Sequence, residues 1–207
     1  MNFSDIEDIY RSRVTLLDIL DERGYDTAPF RKFSPLEIAK ALGTGADGFT
    51  SLSFTAKKLE ATDEKVCKVE YLKLSRQKLP NYFDEYPDIT KADTIVMMME
   101  PVLEIHHQLA LTLFLTKKIY VSFFSVDHLV NNPVKHFLVP KHEIMPTEEE
   151  ADFMKKYHIV AKNKMPLIRY HWDPIVRIIG AVPGNIIKIT RPSQTAGENI
   201  YYRCVSA

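Results

Sequence analysis

Asn131-Asn132-Pro133 is the feature that most limits what this chain can fold into. Proline fixes its own φ, lacks an N–H and pushes the residue before it into extended conformation, so no helix or strand continues through this point. The charge of the chain changes sign at the same place. Residues 1–135 carry 17 basic and 20 acidic side chains, whereas residues 136–207 carry 10 and 7. With 207 residues available, the chain reads as two domains, 1–133 and 134–207.

The second part is more polarised than its total suggests. From Phe153 onward, nine Lys and Arg face only Asp173 and Glu198. A basic end on a chain of zero formal charge suits an anionic neighbour, such as nucleic acid or an acidic protein surface; a solvated basic face with no partner gives the same pattern. Hydrophobic residues make up 45% and charged residues 26%, which excludes a wholly disordered chain. The longest apolar stretch, Leu109 to Leu115, is interrupted by Thr112 and falls short of a bilayer span, so no membrane partner is expected. The opening MNFSDIEDIYRSRV lacks a basic segment followed by an apolar run, so no secretory signal is expected. Cys67 and Cys204 are too few for a disulfide framework or a thiolate zinc site, and a reducing setting is the natural reading.

Helices and strands alternate through the first part. Ser4 with Glu7 forms a capping box, Ile6, Ile9, Tyr10, Val14, Leu17 and Leu20 form one apolar stripe, and Gly24 offers a left-handed stop. Ser34-Pro35-Leu36-Glu37 starts a second helix that ends by Gly43. Strands are expected over 66–74, 94–99 and 119–124, with a surface loop over 79–93 and a largely buried helix from about Val102 to Lys117. In the second part, His136 to Met145 reads as short β-like segments broken at Pro140. Thr147 then caps a helix that opens on three glutamates and closes on Lys155 and Lys156, matching the helix dipole. Pro166, Pro174, Pro183 and Pro192 divide the rest, with strands over 185–190 and 200–205. The fold class expected is α/β (α+β).

Motifs for chemistry are sparse. His106 and His107 are adjacent on a helix and point to different faces, His136 and His142 flank a proline-containing segment, and there is no HExxH, so structural histidines are expected and no metal. No Gly-x-Ser-x-Gly and no phosphate-binding glycine loop occurs, and Cys67 lies inside a predicted strand as a small core residue. No cofactor and no small-molecule substrate are expected.

The second part carries a resemblance. His136, Leu138, Val139, Pro140 and His142 precede the glutamate-led helix. Asp173-Pro174 follows, with Gly180 six residues later, and then Gly184 leads into Lys188, Arg191-Pro192-Ser193, Thr195 and Gly197, before Tyr202-Arg203. In order and spacing, over about 70 residues, this run resembles the C-terminal domain of the fifth common subunit of eukaryotic RNA polymerases and the shorter archaeal counterpart of that subunit. Leu167 departs from the pattern, standing where relatives usually carry Arg. The first part is less similar: Arg23-Gly24-Tyr25, Ser53-Phe54 and the 119–124 strand resemble the eukaryotic subunit's N-terminal domain. A divergent first half on a preserved second half also fits a homologue encoded by a large DNA virus.

The resemblance implies a non-catalytic subunit of a multisubunit DNA-directed RNA polymerase. Residues 134–207 would dock on the largest subunit through the loop Arg191 to Gly197, with Lys188, Tyr202 and Arg203 beside it. His136, Leu138, Val139, Pro140, His142, Asp173, Pro174, Gly180 and Gly184 would shape a small mixed-sheet domain of the archaeal type. Residues 1–133 would form a jaw domain, resembling a restriction-endonuclease core, beside downstream duplex DNA held without sequence preference. Pro87-Asp88 and Asp63-Glu64-Lys65 imitate pieces of the nuclease motif in reversed order, so no catalytic residue is expected here. The compartment would be the nucleus for a cellular protein, or host cytoplasm and virion for a cytoplasmic virus. The alternative from another class is a free-standing DNA-binding transcription regulator sharing the fold.

Overall fold

A computed structural model describes residues 3–43, 48–59, 65–73, 82–83, 93–193, 195 and 197–207, in two compact units, Met1–Asn132 and Pro133–Ala207. Both are mixed α/β.

In the first unit, helix α1 (Phe3–Glu22) packs against α2 (Pro35–Leu42) and the short α4 (Val126–Leu129). The sheet runs in the order β1 (Phe54–Lys57), β2 (Val66–Tyr71), β3 (Asp93–Met98), β4 (Val121–Ser125). β1 is antiparallel to β2, and β2, β3 and β4 are parallel. A parallel neighbour needs a long crossover, and α3 (Glu104–Lys117) supplies it between β3 and β4. Cys67, Val69 and Tyr71 alternate inward on β2, and Ile95 to Met98 are buried as a run, as parallel strands covered on both faces should be. Tyr71, Phe123 and Phe124 are the largest fully buried side chains among the described residues.

Several expectations shift. Phe3 is already helical, so Ser4 lies inside α1 instead of capping it, and Glu7 turns to Arg11, accepting from its Nη2 at 2.5 Å. The buried face of α1 runs through Ile9, Ser12, Arg13, Leu16 and Leu20, whereas Val14 is 37% exposed. Gly24 does end the helix, at φ +81, with Tyr25 N–H reaching back to the Leu20 carbonyl at 3.0 Å. The Ser34–Glu37 capping box is present in full. β2 stops at Tyr71, three residues early. α3 buries only one face (His106, Ala110, Leu113, Phe114), leaving Ile105 and Leu115 exposed, because only that side meets β4. Most of the 79–93 loop lies outside the described residues, as do Asp63, Glu64, Pro87 and Asp88.

In the second unit the sheet order is β5 (Lys141–Ile144), β7 (Ile186–Ser193), β8 (Gly197–Ser206), β6 (Leu167–Arg169). β5–β7 and β7–β8 are antiparallel, and β6 joins β8 in parallel. Met145, Phe153, Met165, Ile186 and Cys204 form the core under helix α5 (Thr147–Lys156). Pro146, extended at φ −59 and ψ 140, holds the cap position of α5, so Thr147 is its first helical residue and not its cap. Residues 136–139 form a turn, closed by Val139 N–H on the His136 carbonyl at 2.9 Å, and not a β segment, because the chain is still leaving the turn that begins at Pro133.

Candidate docking surface

Asp173-Pro174 and Gly180 bound one short helix, α6 (Pro174–Ile179). The Asp173 carboxylate accepts the N–H groups of Ile175 and Val176 at 2.9 and 3.1 Å, Pro174 takes the first position where no N–H is needed, and Gly180 turns left-handed at φ +72. Gly184, at φ +94, donates its N–H to the Val205 carbonyl, and its own carbonyl accepts Lys162 Nζ at 2.9 Å. The same ammonium meets Glu150 at 2.5 Å, tying α5, the 184 turn and β8 together. Asp173, Pro174, Gly180 and Gly184 thus hold the short helix and the 184 turn in place. His142 Nδ1 lies 2.7 Å from the Pro140 carbonyl, and His136 Nδ1 accepts the Leu138 N–H at 3.3 Å, while Phe137 and Leu138 point to solvent.

The expected interface residues lie on the β7–β8 hairpin and divide into two groups. The register pairs Ser193 with Gly197, Pro192 with Glu198 and Arg191 with Asn199. β5 reaches only to Thr190 and β6 only to Cys204, so the end of the hairpin runs past both edge strands. The segment expected as a loop is thus largely ladder. Arg191, Pro192, Thr195 and Gly197 are exposed there, with Ser193 half-buried, Gly197 at φ +70 and the Ser193 and Thr195 hydroxyls 3.4 Å apart. The Arg191 guanidinium stands over the Tyr201 ring at 5.8 Å.

Lys188, Tyr202 and Arg203 are farther back and have internal work. Arg203 Nη1 donates to the Leu167 carbonyl at 3.0 Å, pinning β6, so Leu167, the departure from the family pattern, is engaged through its backbone. Tyr202 packs on Phe153 with ring centroids 4.4 Å apart, and burial beside Tyr157 pushes its phenol up. Lys188 pairs across the sheet with Glu143, whose carboxyl is held below the usual range first by Lys141 at 2.6 Å and also by Lys188.

Beside the hairpin is a groove of about 550 Å³ between the end of α5 and β8, which sequence reasoning missed. It is lined by Phe153, Tyr157, Val160, Pro166, Ile200 and Tyr202 among others, with Lys164 as its charged member, His158 beside it and no carboxylate. Val160 is 93% exposed. The signal was an apolar Ile159-Val160 stranded among lysines, but only the fold shows that Ile200 and Tyr202 come alongside. His158 adopts a left-handed φ of +53 where the helix turns off, a position usually given to glycine.

Among the described residues no group of three or more His, Cys, Asp or Glu side chains is placed to hold a metal ion. Cys67 is fully buried, and burial pushes its thiol up to about 12, which suits core packing and not nucleophilic chemistry. No described helix is long and apolar enough to cross a membrane.

Comparison with known proteins places the second unit. Residues 131–205 match the family described as RNA polymerase Rpb5, C-terminal domain. The DNA-directed RNA polymerase subunit Rpo5 of Methanosarcina barkeri is 54% identical over 70 residues, covering 34% of this chain and 87% of that one. The corresponding subunit of Archaeoglobus fulgidus is 50% identical over 70 residues, covering 34% and 90%. A relative from Dictyostelium discoideum, named as subunit rpabc1 of DNA-directed RNA polymerases I, II and III, is 28% identical over 203 residues, 97% of this chain and 99% of its own length. Through a compact, well-fastened second unit shared with archaeal subunits, and a first unit whose length is matched in a eukaryotic one, this chain belongs to the Rpb5/Rpo5 family of RNA polymerase subunits.

Proposed function

We propose that this chain is a non-catalytic subunit of a multisubunit DNA-directed RNA polymerase. The observation that carries the reading is the identity of 54% between its second unit and a chain named as such a subunit. In this reading residues 134–207 are the assembly domain and the protruding hairpin end, Arg191 to Gly197, fastens to the largest subunit. Arg191 suits bidentate contact with a carboxylate, and Gly197 allows close backbone approach.

The first unit, residues 1–133, serves as part of the lower jaw near downstream DNA. Its sheet of three parallel strands and one antiparallel strand, flanked by helices, is compatible with a restriction-endonuclease-like core used as a scaffold. Contacts to the duplex are with phosphates, sequence-independent and salt-dependent. The compartment follows the polymerase: nucleus for a eukaryotic cellular enzyme, host cytoplasm and virion for one encoded by a cytoplasmic DNA virus.

Native size-exclusion of a source lysate, with mass spectrometry of the fractions holding this chain, tests the reading. Elution in a complex of several hundred kilodaltons with two large polymerase subunits is the expected result, and the identities of those subunits name the polymerase and its origin. Elution near the monomer mass of 23.9 kDa without them would overturn it and favour a free-standing DNA-binding regulator.

A further inference from the structure

Among the described residues, no strand of the unit lies beside the outer edge of β8 from Glu198 to Tyr202. β6 pairs with β8 only from Cys204 to Ser206. Cys204 N–H points to that side, donating to the Pro166 carbonyl at 2.9 Å. Backbone groups alternate in direction along an antiparallel strand, so those of Tyr202, Ile200 and Glu198 point the same way. Beyond Pro166 the chain turns off through Lys162–Lys164, and among the described residues no strand continues along them. The groove that contains Tyr157, Val160 and Lys164 runs beside this edge. Main-chain donors and acceptors in a row, with apolar hollows next to them, are the two requirements for adding an extended peptide to a sheet.

Charge selects the occupant. Lys164 and His158 line the groove without any carboxylate, and Lys156 Nζ lies 5.8 Å from the centre of the Tyr157 ring at its rim. We infer that the open edge of β8 receives an extended segment of a partner polymerase subunit, which joins the sheet beside Glu198 to Tyr202. Its apolar side chains, at alternate positions, enter the groove, and its acidic side chains meet Lys164, His158 and Lys156. This rests on the reading of the chain as a polymerase subunit, and it assigns docking to the groove side of the hairpin as well as to its tip.

Two full-length variants test it in the source cells, each affinity-tagged beside tagged wild type. Ile200→Pro removes an outward N–H without touching a bond to β7, and Val160→Asp sets a carboxylate at a fully solvated position in the groove. Each should lower the co-purified largest subunit at least tenfold while the purified variant keeps its circular dichroism and melting curve. In wild type, hydrogen exchange at Ile200 and Tyr202 should slow at least tenfold on going from free chain to assembled polymerase, which reports the edge even if a variant misfolds. Wild type that co-purifies with polymerase while its edge amides exchange unchanged, or while Val160→Asp is retained in full, overturns the groove alone. Wild type that brings down no polymerase defeats the subunit reading instead. Free chain eluting at twice its mass, with the same amides protected, means a second copy occupies the edge and overturns the inference.

Discussion

Arg13 shows what a single residue hides in a sequence. It is 3% exposed, donates from Nη1 to the Leu52 carbonyl at 2.8 Å, and lies over Phe54 and Phe33 with its guanidinium 4.7 and 4.9 Å from their ring centres. A buried cation needs such compensation. A helical wheel sets Arg13 inside the apolar stripe, between Leu20 and Ile6, where its charge argues against burial; its partners come from positions 33, 52 and 54, so only the tertiary contacts show what compensates it. Cys67 was legible for the opposite reason: alternation along β2 is local. Its thiol, raised to about 12 by burial, gives a testable sign. The folded state holds the proton after the unfolded chain has lost it, so the stabilisation is full below the ordinary thiol range and is lost as pH rises from there through about 12. Urea melts should show stability falling between pH 8 and pH 10.5, with a shallower fall in Cys67→Ala; equal slopes would count against a buried, protonated thiol.

At the scale of the element, local chemistry decided some ends and not others. The Ser34 box and Gly24 stop stood where their residues indicated, whereas α1 begins ahead of Ser4 and Pro146 takes the cap position expected for Thr147. Strands end where partners end, which explains why β2 was read too long while β7 and β8 extend beyond their expected bounds. The α6 helix is too short to hold by itself, so its Asp173 cap should matter: Asp173→Ala is expected to cost about 1 kcal/mol, read as a lowered melting temperature. The hairpin end behaves differently. A Cβ at Gly197 meets nothing within 4 Å, so Gly197→Ala costs the positive-φ strain, about 1 kcal/mol, and Arg191→Ala adds the loss of an exposed contact with the Tyr201 ring. That double variant should leave the fold intact and release the chain from polymerase; undiminished co-purification would refute the assignment of the tip.

For the whole molecule, the change of charge sign at the breaker cluster was visible directly, and so was the family likeness of the second part. The groove was not, since Phe153 to Pro166 and Ile200 to Tyr202, which line it, are far apart in the chain. Zero formal charge bears on DNA. The isolated protein should bind duplex DNA more weakly than micromolar at physiological salt, with affinity falling as salt rises and no preference among sequences. Fluorescence anisotropy on two unrelated duplexes checks this, and tight, sequence-selective binding would favour the regulator.

The hairpin's two long sides are not equivalent. By the same alternation, Pro192 is oriented away from β8, toward the side of β7 beyond β5, and it has no N–H to offer there. A polypeptide that pairs with the outer side of β8 therefore finds no equally receptive surface on the far side of β7 from which pairing could continue. For the guest strand inferred on β8, the hairpin would thus be a terminus and not a link, a feature that disfavours the stacking of copies through it.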